Sequence, residues 1–126
     1  MSECSCGGDK NKLIYSCSGS SDVGEIADKT ARKLRSLCFG KMTCLAGIGA
    51  NLSGFVESAK AIEENVAIDG CNVACAKKGL ERVGAKVKSY ILTDMGLVKG
   101  QTPPTDKIVD ELINKILNDK QGGLCE

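Results

Sequence analysis

Histidine and tryptophan are absent from this 126-residue chain, and phenylalanine and tyrosine supply two residues each. Without histidine, neither Ser-His-Asp nor Cys-His catalysis can be assembled within the chain, and any metal must be held by thiolates or carboxylates. An excess of one charge is missing as well. Seventeen Lys plus Arg stand against 16 Asp plus Glu, a net +1, which argues against nucleic acid or a membrane surface as the partner. No apolar run approaches the roughly 20 residues that a membrane span needs. The opening Met1-Ser2-Glu3-Cys4 carries no basic stretch followed by an apolar core, so no signal peptide is expected and the cytoplasm is the expected compartment.

Phosphate-binding signatures fail on single residues. Cys17-Ser-Gly-Ser-Ser-Asp-Val23 has valine where a Cys-x5-Arg phosphatase loop needs its arginine. Gly47-x-Gly49 is followed by Leu52 where a dinucleotide fingerprint needs Gly or Ala, and no Walker Lys-Ser/Thr is present. What remains open to an anion is docking on bare helix N-termini.

Against these absences stand 8 cysteines. A disulfide framework suits shorter secreted chains, whereas in a reducing compartment a cysteine cluster points to metal or thiol chemistry. One buried cysteine is an ordinary small hydrophobe. Several in register are not.

Hydrophobic residues at 42% and charged residues at 26% describe one ordinary globular domain. We read residues 1–11 as a flexible, Cys-containing arm, 12–120 as an α/β domain, and 121–126 as a tail. Within the domain one grammar repeats. Lys12 to Cys17 is a β-type run, Ser18 to Ser21 a turn, and Asp22-x-x-Glu25 opens a helix in the manner of a capping box, with Ile26, Ala27, Ala31, Leu34 and Leu37 at helical spacing until Gly40. Lys41 to Leu45 is the second strand, Ala46 to Ala50 a Gly-rich turn, and Ser53 starts a helix through Ala59 and Ile62. Asn65 to Ile68 is the third strand, Asp69-Gly70 a turn, and Cys71 to Val83 a helix closed by Gly84. Val87 to Thr93 is the fourth strand; after the loop Gly100 to Pro104, Thr105 caps a helix with Ile108, Leu112, Ile113, Ile116 and Leu117 on one face. Four alternations predict a single-domain, Rossmann-like three-layer sandwich with a mostly parallel sheet of about four strands.

Cys17, Cys44 and Cys71 occupy the same place in three successive units, 27 residues apart each time, at the end of a strand or just beyond it. Carboxyl ends of parallel strands share one edge, and ligands bind outside it. Cys75 follows Cys71 by four residues, one helical turn. Four sulfurs on one edge match the tetrahedral four-thiolate preference of zinc, and soft thiolates also suit iron–sulfur clusters and Cu(I). The charge of such a centre is offset by helix N-termini after Cys17, Cys44 and Cys71, with long-range help from Lys77 and Lys78. Asp69 and Asp94 end strands and read first as turn or capping residues, then as acceptors behind the site. Cys38 reads as half-buried filler, Cys125 as free, and Cys4-x-Cys6 as a pair able to clamp a soft metal or to lie solvated in the arm.

Tyr-Ser-Cys17-Ser-Gly, Cys44-Leu-Ala-Gly-Ile-Gly49 and Asp69-Gly-Cys71-Asn-Val-Ala-Cys75-Ala-Lys-Lys resemble the zinc-binding DGC-domain family, named for its Asp-Gly-Cys signature. The similarity runs from about Leu13 to Thr93, with Asn72 standing where many relatives carry Pro. The resemblance implies zinc as the metal and Cys17, Cys44, Cys71 and Cys75 as the key cysteines, and it implies no established reaction. Three functions stay in view: binding, sensing or carriage of a metal at that site; a redox or thiol-transfer enzyme using Cys17 or Cys71; or a small-molecule or anion binder with a structural zinc. Cys71-x-x-x-Cys75 is not the redox Cys-x-x-Cys pattern, which counts against a thioredoxin-like reaction.

Overall fold

The structure, a computed structural model, describes residues 11–119. Strands β1 (Lys12–Ser16), β2 (Lys41–Met42), β3 (Glu64–Asp69) and β4 (Val87–Ile91) form one sheet in the order β2-β1-β3-β4. All three pairings are parallel. Alternate side chains go to opposite faces. Ile14, Val66 and Ile68 point to one face and pack with Ile26, Ala27, Leu34, Leu112 and Ile116 from helices α1 (Asp22–Ser36) and α5 (Asp106–Leu117). Tyr15 and Ala67 point to the other, against Ile48, Ala59, Ala76 and Leu80 of helices α2 (Leu45–Gly49), α3 (Ser53–Ala61) and α4 (Cys75–Arg82). The expected three-layer α/β sandwich is therefore present, and its sheet is wholly parallel, as double-sided burial favours.

Helix α1 buries Ile26, Ala27, Ala31 and Leu34 at the predicted spacing and Val23 besides, while the expected Leu37 is the C-cap and is exposed. Its start and stop differ from the expectation. Ser21, one residue before the predicted cap, accepts from the Gly24 N–H at 3.1 Å. Asp22 is freed to bind a distant loop, described below. At the other end Cys38, not Gly40, takes the left-handed conformation (φ 67°) that ends the helix, while the Phe39 N–H reaches back to the Leu34 carbonyl at 3.0 Å. Gly40 serves close packing instead, since a Cβ there would lie 3.0 Å from that of Lys12.

The second unit is the least like its prediction. Strand β2 has only two residues, and the Gly-rich stretch after it is a short helix rather than a turn, with Cys44 at its N-cap. Gly47 makes this possible by letting the Phe55 ring lie against the helix, where a Cβ would come within 2.5 Å. The fourth strand stops at Ile91, and Leu92–Met95 coils into a 3₁₀ turn. Gly84 (φ 84°) follows the C-cap of α4 as predicted, and Thr105 caps α5 through the Ile108 N–H at 3.3 Å. Val109, Leu112, Ile113 and Ile116 form the buried stripe of α5. The expected arm (residues 1–11, of which Asn11 is described) and tail (121–126), with Cys4, Cys6 and Cys125, otherwise lie outside the described residues.

One buried polar group went unnoticed in the sequence. Asn65 is fully buried in β3, accepts the Tyr15 hydroxyl at 3.0 Å, and donates to the Ala59 and Lys86 carbonyls at 2.9 Å each. Burial pushes the Tyr15 phenol up to about 12, so it remains a donor. This network ties two strands to the end of α3.

Candidate functional site

Cys17 follows β1 directly, its N–H still bonded to the Ile68 carbonyl of β3 at 3.1 Å. Met42 pairs with Ile14, so Cys44, two residues beyond, stands level with Ser16. Asp69 ends β3, and Cys71 and Cys75 lie in the turn and helix start after it. All four cysteines therefore sit at the carboxyl edge of the sheet, as predicted, and all four are free thiols. Cys17 and Cys71 are half-buried; Cys44 and Cys75 are exposed. Cys38, after the far end of α1, belongs to the opposite edge and is disulfide-bonded rather than the filler expected of it.

The local picture of Cys71 and Cys75 needs correction. They do not share a helical face, because α4 begins at Cys75 rather than Cys71. Two contacts move the start. Asp69, 1% exposed, accepts the N–H groups of Ala76 at 2.8 Å and Lys77 at 3.0 Å, capping the helix from seven residues upstream. Ala74 then adopts a left-handed conformation (φ 57°), unusual for alanine, which interrupts any earlier helix. Asp69 is thus the capping residue that was expected first. Burial raises its pKa, while the two N–H donors and then Lys77 and Lys78 pull it back.

Each letter of the Asp-Gly-Cys turn has its own physical task. Asp69 starts α4. Gly70 lies against the first turn of α1, so tightly that a Cβ would fall 2.6 Å from the Val23 carbonyl carbon and oxygen and 2.7 Å from the Gly24 nitrogen. Gly24 in turn allows Gly19 to approach, since its own Cβ would meet the Gly19 oxygen at 2.7 Å. These contacts bring the β1–α1 and β3–α4 loops together, and the Gly70 N–H then donates to the Cys17 sulfur at 3.4 Å. Cys71 supplies the thiol.

Two cavities open along the edge. One, about 780 Å³, is lined by Cys17, Cys44 and Cys75, with Ser16, Asp28 and Arg32 on its polar wall and Phe55 on its apolar one. Ser16 is held there by Asp28 at 3.2 Å, and Asp28 holds Arg32 at 2.8 Å. The other, about 320 Å³, is lined by Cys17, Cys71 and Cys75 together with Asp69, Gly70 and Lys99. It lies between the ends of β1 and β3, the point where the strand order reverses and where open α/β sheets bind their ligands. Cys17 and Cys75 belong to both cavities. Among the described residues no three Cys, Asp or Glu side chains converge closely enough to hold a metal ion in this arrangement. The donor chemistry of these two cavities suits a soft ion nonetheless: each is lined by three cysteines, and the buried Asp69 carboxylate beside them is engaged in capping.

The Lys99 ammonium lies 3.6 Å from the Cys71 sulfur. Sequence reading missed Lys99 because 28 residues separate the two and no motif joins them. Among the described residues no helix is long and apolar enough to cross a membrane.

No solved structure matches the chain significantly. The chain is similar to the anaerobic and virulence modulator AnvM of Pseudomonas aeruginosa, at 36% identity over 70 residues, which are 56% of this chain and 53% of that protein. The match thus spans about half the length of that relative. A family model for the DGC domain matches residues 13–117, from the first strand to the end of the last helix. With the Asp69-Gly70-Cys71 turn at the centre of its thiol edge, the chain belongs to the DGC-domain family.

Proposed function

We propose that this protein binds one soft metal ion, zinc in the first place, through Cys17, Cys44, Cys71 and Cys75, and acts by binding, sensing or carrying it. The observation that carries the reading is the shared wall: Cys17 and Cys75 face both cavities, and each cavity adds one further thiol. Cys44 and Cys71 stand at the ends of the strand connections on either side, and the loops that carry them would have to move inward to complete a four-thiolate shell with Zn–S bonds of about 2.3 Å. When bound, zinc would supply a closed structural or exchangeable centre, since catalysis would need an open coordination position. Gly70 would donate its N–H to one ligating sulfur and so hold Cys17 in orientation. A reducing cytoplasm goes with this reading, because it keeps four thiols available.

The test is elemental analysis of protein purified without added metal, combined with thiol titration before and after chelation. One equivalent of zinc, with four thiols protected until chelator is added, is the expected result. A second reading has its own support: the Cys17 and Cys71 sulfurs each accept a hydrogen-bond donor, as a reactive thiolate would. Metal-free protein with one rapidly alkylated thiol would favour that thiol-transfer reading and refute the first.

A further inference from the structure

The loop after the 3₁₀ turn is built to a degree that an ordinary surface connection is not. Thr102, nearly buried, closes it by accepting from the Val98 N–H at 3.1 Å and donating to the Val98 carbonyl at 2.7 Å. The Asp22 carboxylate then fastens it to the start of α1, taking the Gly100 N–H on one oxygen and the Thr102 N–H on the other, both at 2.9 Å. Asp22, which Ser21 replaces as the cap of α1, also accepts the Val23 N–H at 2.7 Å and so ties the loop to the first turn of the helix. Between these anchors the chain presents Lys99 over the switch-point cavity, its ammonium against the Cys71 sulfur. The clasp therefore connects the unit that carries Cys17 to the thiol of the unit that carries Cys71.

We propose that Lys99 is a positioning residue of the thiol site: held in place by the Asp22 clasp, it orients Cys71 and offsets the negative charge of a four-thiolate metal centre. This role rests on the metal-binding reading above. A lysine is a point charge with three rotatable donors, suited to a sulfur that approaches from a loop. Four thiolates around a divalent ion leave a net charge of about −2, which a neighbouring ammonium lowers. Lys99 is exposed, so its contribution depends on ionic strength, as a purely steric one would not.

The experiment measures zinc affinity of the full chain by competition with a chromophoric chelator, at about 0.1 M and about 1 M salt. Lys99→Met is expected to weaken binding about 10-fold at the lower salt with unchanged stoichiometry. Lys99→Glu should weaken it further, Lys99→Arg should restore most of it, and the Lys99→Met deficit should shrink at the higher salt. Asp22→Ala, which releases the clasp, should reproduce the Lys99→Met loss, and the double variant should lose no more than the larger single one. If Lys99→Met and Lys99→Glu bind zinc as tightly as the parent chain, or if the deficit is unaffected by salt, the role is wrong while the metal reading stands. If the parent chain binds no zinc, both fall together.

Discussion

Gly70→Ala adds one methyl group at the place where two loops meet most closely. The new Cβ would lie 2.6 Å from backbone atoms of Val23 and 2.7 Å from the Gly24 nitrogen. Ordinary contact begins at 3.4 Å, and no flexible side-chain end is available to yield. The two loops must therefore separate by about 0.8 Å, forcing backbone shifts of the kind that cost roughly 1–3 kcal/mol. Reduced freedom of the unfolded chain returns about 0.5 kcal/mol, leaving a net loss of about 1.5 kcal/mol. The separation also carries the Gly70 N–H away from the Cys17 sulfur, so zinc affinity should fall together with stability. Urea unfolding of metal-free protein should show a lower midpoint at unchanged slope, and the melting temperature should drop by about 6 °C. Gly54→Ala is the matched control. Nothing lies within 4 Å of its Cβ position in helix α3, and there the same substitution should stabilise by about 0.5–1 kcal/mol. Equal stability of Gly70→Ala and the parent chain would refute the close approach of these loops, and with it the physical account of the Asp-Gly-Cys turn.

Asn65→Ala removes the acceptor of the Tyr15 hydroxyl and the donors to Ala59 and Lys86, all in or near the core, and should cost about 3 kcal/mol in urea unfolding. A loss below about 0.5 kcal/mol would mean that the network contributes nothing beyond packing. Asp22, whose pKa is held below its usual 3.8 by the N–H groups of Thr102 and Gly100, stabilises the fold in its charged form. Its contribution is present above 3.8 and is lost as pH falls through the lowered folded value, so the stability gap between the parent chain and Asp22→Asn should close in acid. A gap that stays constant across that range would show that the clasp does not depend on the carboxylate.

Local pattern was enough to place three of the four cysteines. Alternating strand and helix signals imply parallel strands, parallel strands put their ends on one edge, and a repeat of 27 residues puts a cysteine at three such ends. The argument needed neither strand order nor exact boundaries, and it survived the shrinking of β2 to two residues. The boundary errors share a cause. Helix α4 starts late because a carboxylate seven residues upstream captures its first N–H groups, and α1 stops at Cys38 because a non-glycine residue adopts the conformation usually left to glycine. Both are properties of backbone geometry in three dimensions, which hydrophobic periodicity does not encode.

The same distinction explains why Cys71 and Cys75 met for a reason other than the one read from their spacing. A four-residue interval suggests one face of one helix. In the fold the interval is divided between a turn and a helix start, with left-handed Ala74 as the break. That arrangement gives the two thiols different surroundings: Cys71 is half-buried beside Lys99, while Cys75 is exposed at the first turn of α4 and faces both cavities. A rigid helical pair would have offered both sulfurs from one side. The departure from the predicted helix gives Cys71 and Cys75 separate settings at the edge, and it makes Asp69, which sets the break and lines the smaller cavity, a determinant of where both thiols stand.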